Sequence, residues 1–98
     1  MRKCTIDGAA MLTRADAHAQ LARALELPEY YGANLDALWD CVSAMDAELT
    51  LVHPAPMLDA LKVYGCKLLE TLCEAAESNA HFQFHVNDGD SPHPLPVY

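Results

Sequence analysis

Residues 27–42 read LPEYYGANLDALWDCV, and this stretch determines how the rest of the chain is interpreted. Pro28 and Gly32 interrupt regular structure, and Asn34 is a residue type preferred at the N-cap of a helix. We therefore predict a helix that begins at the following residue. Apolar residues then recur at helical spacing, with Trp39 at their margin, which is typical of a helix packed on a hydrophobic core. The apolar residues of this stripe are Leu35, Leu38, Val42 and Met45.

The opposite face of this predicted helix is acidic. Asp36 and Asp40 are four residues apart and therefore neighbours on the helix surface, where their repulsion costs an isolated helix about 0.2–0.5 kcal/mol. No Lys or Arg occurs between Arg23 and Lys62, so neither aspartate has a cationic neighbour in the helix to offset this repulsion. The face is either simply solvated or a surface for a cationic partner. The acidic residues in the same interval are Glu26, Glu29, Asp36, Asp40, Asp46, Glu48 and Asp59.

Residues 28–41, PEYYGANLDALWDC, closely resemble the characteristic motif of the barstar family, whose members are intracellular protein inhibitors of small secreted ribonucleases. The match is long, ungapped and rich in uncommon residues, so it is far more specific than a short motif. The resemblance extends more weakly over residues 3–86. It implies that Asp40 and Asp36 enter a ribonuclease active site, at the place that RNA phosphates would otherwise occupy.

The resemblance also implies roles for the residues around this acidic pair. Asp40 is the expected central anion, and Tyr30 is expected to be exposed and to stack on or cover the partner. Gly32 and Asn34 are expected to shape the loop, and Trp39 to support the helix. The predicted partner-binding residues are Tyr30, Gly32, Asn34, Asp36, Trp39, Asp40 and Glu74.

The expected environments of Glu74, Tyr31 and His18 are as follows. Glu74 matches an acidic residue of the family's inhibitory surface, although a solvated helix charge explains it equally well. Tyr31 is expected to point inward, in contrast to its neighbour. His18 lies on the predicted buried side of a helix, so we expect a core histidine with a hydrogen-bond partner rather than a catalytic residue.

Length and composition limit the class of protein. A chain of 98 residues is long enough for one domain, which we assign to residues 1–87, followed by an irregular, proline-rich tail at 88–98. A net charge of −8 disfavours direct binding to nucleic acid and favours a basic protein partner, such as a secreted ribonuclease or a toxin. Neither a signal peptide nor an apolar run of about 20 residues is evident. We therefore expect a cytoplasmic protein with reduced thiols, no membrane contact, and a monomeric state when free.

The order of predicted elements is β-α-α-β-α-α-β. Because such an order requires helical crossovers, we predict an α/β fold with a three-stranded parallel sheet packed with about four helices, which agrees with the family resemblance. The first helix is expected to be capped by Thr13 and to run to about Leu25, with Pro28 preventing its continuation, and the last helix is expected to follow Gly65. The predicted strands are Arg2–Ile6, Glu48–His53 and His81–Val86, and the remaining helix is Ala55–Leu61.

An enzyme is the main rival class. Cys41 and five histidines are present, but the chain lacks Cys-x-x-Cys and His-Glu-x-x-His spacings and a phosphate-binding glycine loop. His81 and His85 would share a strand face, which leaves a zinc site conceivable there. We predict no enzymatic activity, no cofactor and no metal. The alternative to a ribonuclease inhibitor is an acidic immunity or interaction protein that binds a different basic protein or toxin.

Overall fold

The computed structural model describes residues 2–87, and the predicted tail at 88–98 lies outside them. A short 3-10 turn at Gly8–Ala10 follows the first strand. The strands are β1 (Arg2–Asp7), β2 (Ala47–Val52) and β3 (Phe82–Asn87), and the helices are α1 (Arg14–Leu25), α2 (Leu35–Val42), α3 (Pro54–Leu61) and α4 (Val63–Ser78).

The three strands form one parallel sheet in the order β1-β2-β3. In this register Ile6 pairs with Leu51, which pairs with Val86, so the apolar residues of all three strands share one face. The other face carries polar residues such as Thr5, Thr50 and His85 in register. The predicted α/β fold with a three-stranded parallel sheet and four helices is confirmed.

The hydrophobic core lies between the apolar face of the sheet and the helices. Each large apolar side chain removed from water contributes about 1.5–3 kcal/mol to folding, so this layer holds the structure together. Within α4, Ala75 is fully buried and Ala76 is half-buried against the core. The largest fully buried side chains are Phe82, Ile6, Met11, Leu21, Leu25, Leu38, Leu49, Leu51, Met57, Leu68, Leu72 and Val42.

One helix end is confirmed and one helix start differs from the prediction. Helix α1 ends at Leu25, as predicted, because Glu26 adopts a left-handed conformation (φ 52°). Helix α4 starts before Gly65 rather than after it. A Cβ at Gly65 would lie 3.3 Å from Cδ2 of Leu58, so this glycine allows α3 and α4 to approach closely.

Other predicted local features are observed. The Thr13 side chain accepts a hydrogen bond from the Asp16 backbone N–H (3.0 Å) and caps α1. Met45 packs on the core as part of the predicted stripe, although α2 already ends at Val42. Within residues 2–87, no helix combines the length and apolar character needed to cross a bilayer.

We expect replacement of Gly8 by Ala to lower the free energy of unfolding by about 3 kcal/mol or more, which is the upper end of the usual cost of overpacking. A Cβ at Gly8 would lie 2.1 Å from the backbone oxygen of His53, so the chain entering α3 would have to move. Urea unfolding measures the change. The matched control is Gly32→Ala, whose Cβ would meet the movable Asn34 side chain at 3.1 Å. Equal losses in the two variants would contradict the close approach at Gly8.

Candidate functional site

Helix α2 starts at the position that the sequence predicted, because Asn34 caps it. The Asn34 side-chain oxygen accepts a hydrogen bond from the Ala37 backbone N–H (2.8 Å), and its amide nitrogen donates to the Gly32 carbonyl (3.3 Å). The residue with positive φ in this turn is Ala33 (φ 53°), not Gly32. A Cβ at Gly32 would lie 3.1 Å from the amide nitrogen of Asn34, a tight contact that a small shift of this side chain relieves. The positive φ of Ala33 is a strained backbone conformation, and such conformations are often found at functional sites.

The acidic pair on α2 faces solvent. Asp36 and Asp40 are both exposed, and neither forms an ion pair with an Arg, Lys or His of residues 2–87. The helix beneath them is fixed, because Leu38 and Val42 are fully buried and Trp39 is half-buried against the core. Two uncompensated carboxylates are thus held outward on a rigid element.

The two neighbouring tyrosines have opposite environments, as predicted. The Tyr30 side chain is 89% exposed and lies next to the start of α2 in the chain. Tyr31 is half-buried and packs against the core, and its backbone N–H donates to the Pro28 carbonyl (2.9 Å). Large exposed aromatic side chains are frequent contact residues in protein interfaces.

His18 is buried and bridges two tyrosines. Its Nδ1 lies 2.6 Å from the hydroxyl of Tyr31, and its Nε2 lies 2.6 Å from the hydroxyl of Tyr64. Burial lowers the pKa of His18, which keeps the ring neutral near pH 7. A neutral imidazole has one donor and one acceptor nitrogen, so one tyrosine hydroxyl donates to the ring and the other accepts from it. The predicted core histidine is confirmed, but its partners were not predicted.

A crevice beside α2 contains a residue that the sequence analysis did not connect with the site. Arg14 lies over the ring of Tyr64, with its Cζ 4.2 Å from the ring centroid. It lines an open cavity of about 390 Å³ together with Asp36 and the residues that begin α2. The acidic surface therefore has a basic residue near it, brought there by the fold from an earlier helix. The lining residues are Arg14, Ala33, Asn34, Leu35, Asp36 and Tyr64.

Glu74 is exposed on α4, the helix that packs against α2. Its helix is thus adjacent to the acidic pair, but the Glu74 carboxylate forms no ion pair with another residue of 2–87. Its place in a binding surface stays a prediction.

The thiols near these acidic residues are poor nucleophiles. Burial raises the pKa of Cys41, and the charge of Asp40 raises it further. Burial also raises the pKa of Cys73, with added effects of the glutamates on α4. Since the thiolate is the reactive form, both side chains stay protonated and unreactive near pH 7. All four cysteines are unpaired.

The histidines considered for zinc lie apart from the acidic pair. His81 precedes β3, instead of lying on its face, and its Nδ1 is 3.9 Å from a carboxylate oxygen of Asp46. His85 lies in β3, 3.8 Å from a carboxylate oxygen of Glu48. Residues 2–87 contain no group of three or more His, Cys, Asp or Glu side chains placed to hold a metal ion.

Comparison with known proteins places the chain in a family. The fold defines an α/β protein with a small parallel sheet, and the sequence matches the family described as Barstar (barnase inhibitor) over residues 1–88. The chain belongs to the barstar family, as the motif at residues 28–41 predicted. A curated protein of Bacillus subtilis (strain 168), described as "Putative ribonuclease inhibitor YrdF", is 49% identical over 53 residues, which are 53% of this chain and 58% of that protein. The match thus spans little more than half of either chain.

We expect the stability of the protein to fall on mild acidification because of His18. The pKa of His18 is lowered in the folded protein, so the unfolded chain binds this proton first as the pH falls. The stability that the neutral His18 ring contributes is fully present above about pH 6.5, the pKa of this histidine in the unfolded chain. It is lost as the pH falls through the lowered pKa of the folded protein. Thermal unfolding between pH 7.5 and pH 5 measures it.

The control for this prediction is His18→Gln, which keeps hydrogen-bonding groups but cannot be protonated in this range. The variant should lose the part of the pH dependence that His18 causes. Identical pH profiles for the two proteins would contradict the role assigned to burial.

Proposed function

We propose that this chain is a protein inhibitor of a small ribonuclease and that it acts by placing α2 and the loop before it in the ribonuclease active site. The main support is the acidic pair, because Asp36 and Asp40 are exposed, unpaired within residues 2–87 and carried on a helix fixed by the core. Membership of the barstar family supports the same role. The curated name of the relative, which includes the words ribonuclease inhibitor, agrees with it.

The proposed mechanism follows from what a ribonuclease active site contains. An enzyme that cleaves RNA by acid–base chemistry needs basic side chains to hold the phosphate and stabilise developing charge. Carboxylates can occupy those phosphate positions, and they offer no bond that the enzyme can cleave. Asp40 acts as the central anion and Asp36 as its neighbour, so the partner must supply matching cations for both.

The remaining predicted residues surround this pair. Tyr30 covers or stacks on the partner, Gly32 and Asn34 set the shape of the loop, and Trp39 supports α2 from its half-buried position. Glu74 adds a flanking negative charge from α4. In this proposal residues 1–87 form the inhibitor domain, which works as a cytoplasmic monomer against a basic secreted ribonuclease and has no enzymatic activity of its own.

We expect Asp40→Ala to weaken inhibition at least roughly 100-fold while leaving stability within about 0.5 kcal/mol. Removing one member of a buried ion pair typically costs about 3–5 kcal/mol, and each 1.4 kcal/mol is about tenfold in affinity. Folding is spared because the exposed carboxylate has no ion-pair partner within residues 2–87. RNA cleavage by barnase, and by a basic ribonuclease of the same organism, measures inhibition.

Glu77→Ala is the matched control, because it removes an exposed carboxylate from α4 that the proposal does not use. This variant should inhibit almost as well as the unaltered protein. Equal losses in the two variants would refute the assignment of the site. Tight binding to a basic protein without any loss of RNA cleavage would favour the alternative, an acidic interaction or immunity protein.

We also expect the association rate with a basic ribonuclease to fall steeply as salt is added. The net charge of −8 attracts a cationic partner over a distance that salt shortens, from a Debye length of about 10 Å at 0.1 M to about 3 Å at 1 M. Stopped-flow measurements over this range should show the decrease mainly in the association rate. A rate that does not depend on salt would contradict electrostatic attraction.

A further inference from the structure

We infer that Tyr64 is a positioning residue for the proposed binding loop, residues 26–34. Through His18 it holds Tyr31 in place and thereby orients the neighbouring Tyr30 before a partner arrives. The inference rests on the proposed function, because it assigns Tyr64 a part in the same surface. It adds a residue of α4 that touches no partner and is separated from Tyr31 by 33 positions in the sequence.

The binding loop is attached at its two ends by the ion pair between Glu26 and Arg2 (2.8 Å) and by the cap that Asn34 makes on α2 (2.8 Å), and it has few attachments between them. Within residues 2–87, Leu27 and Tyr31 are its two side chains that pack against the hydrophobic core. Glu26 and Ala33, near its two ends, have positive φ values of 52° and 53°. Its tip, including Tyr30, is exposed. The position of the tip therefore depends largely on how firmly Tyr31 is held.

The hydrogen-bond bridge holds Tyr31 at a defined position. Both bonds to His18 are 2.6 Å long, and only 2% of His18 is exposed, so water cannot easily replace a lost partner. Because the neutral ring has one donor and one acceptor, each tyrosine hydroxyl has a different and required role. Loss of either hydroxyl leaves a ring nitrogen buried without a partner, which is costly.

Tyr64 is itself well anchored, so it can serve as the fixed end of this bridge. It is half-buried in the first turn of α4, and Arg14 of α1 lies over its ring. Helix α4 in turn packs against α2 and β3 through fully buried residues such as Leu68 and Leu72. The bridge thus connects the exposed loop to a helix whose buried face is part of the hydrophobic core.

The expected functional effect is preorganisation. A loop that is already ordered loses less conformational freedom on binding, so more of the contact energy appears as affinity. Tyr64 therefore contributes to affinity without touching the partner. Its contribution should depend on Tyr30, the exposed side chain that it orients.

The test uses Tyr64→Phe in the full chain, which removes one oxygen and keeps the ring beneath Arg14. Amide exchange of residues 29–33 in the free protein should become roughly tenfold faster, because local opening of the loop is easier. Binding to barnase, measured by titration calorimetry, should weaken roughly tenfold. The control is Thr71→Val, which removes a different hydrogen bond of α4, from Thr71 Oγ1 to the Lys67 carbonyl, and should leave both quantities unchanged.

A double-mutant cycle separates positioning from general destabilisation. In a Tyr30→Ala background, Tyr64→Phe should weaken barnase binding less than twofold, because the side chain that it orients is gone. A tenfold loss in both backgrounds would overturn the inference, since it would indicate a direct or purely structural effect. Tyr31→Phe, which breaks the other bond of the bridge, should reproduce the results of Tyr64→Phe.

Failure of the inference and failure of the proposed function give different results. If the unaltered protein neither binds nor inhibits barnase or a ribonuclease of its own organism, the proposed function is wrong, and so is the positioning role that rests on it. If it binds but Tyr64→Phe changes neither amide exchange nor affinity, only the positioning role is wrong. Faster exchange with unchanged affinity would also overturn that role.

Discussion

The structure depends above all on the contact between the apolar stripe of α2 and the hydrophobic core. Leu38 and Val42 are fully buried, and this anchoring fixes which way the helix faces. Asp36 and Asp40 must then point to solvent, although their mutual repulsion would favour a looser arrangement. Burial of the apolar stripe of α2 thus holds Asp36 and Asp40 close together, although their repulsion would destabilise the isolated helix. A surface of this kind is available to a cationic partner without prior rearrangement.

The loop before α2 is controlled by a different interaction. Its order depends on a buried polar bridge through His18 rather than on extensive apolar contact. Such a bridge is directional, so it can define the position of one side chain more sharply than nonspecific packing. Anchoring from Tyr64 means that α1, α4 and the loop share one hydrogen-bonded unit. The acidic helix and the aromatic loop are therefore held by separate means, one hydrophobic and one polar.

Local sequence patterns predicted much of this structure. The N-cap at Asn34 and the parallel order of the strands follow from short-range patterns and from crossover geometry, whereas the exposure of Tyr30 was expected from the family resemblance. The family motif supplied the site residues, which remain predictions. The contact of Arg14 with Tyr64, and that of Tyr64 with His18, could not be predicted, because these residues are 50 and 46 positions apart. The start of α4 was misplaced, because Gly65 lies inside the helix, where it allows close packing against α3, instead of preceding it.

The polar outer face of the sheet has a consequence for how small such a protein can be. Parallel sheets are normally sandwiched between two layers of helices, which requires a long chain. Here the row formed by Thr5, Thr50 and His85 tolerates hydration, so a single helical layer is enough. All four helices then share one side, and α1, α2 and α4 become neighbours around the loop that joins the first two. A parallel sheet is thus accommodated in a chain of 98 residues. Three of its four helices, α1, α2 and α4, surround the loop before α2.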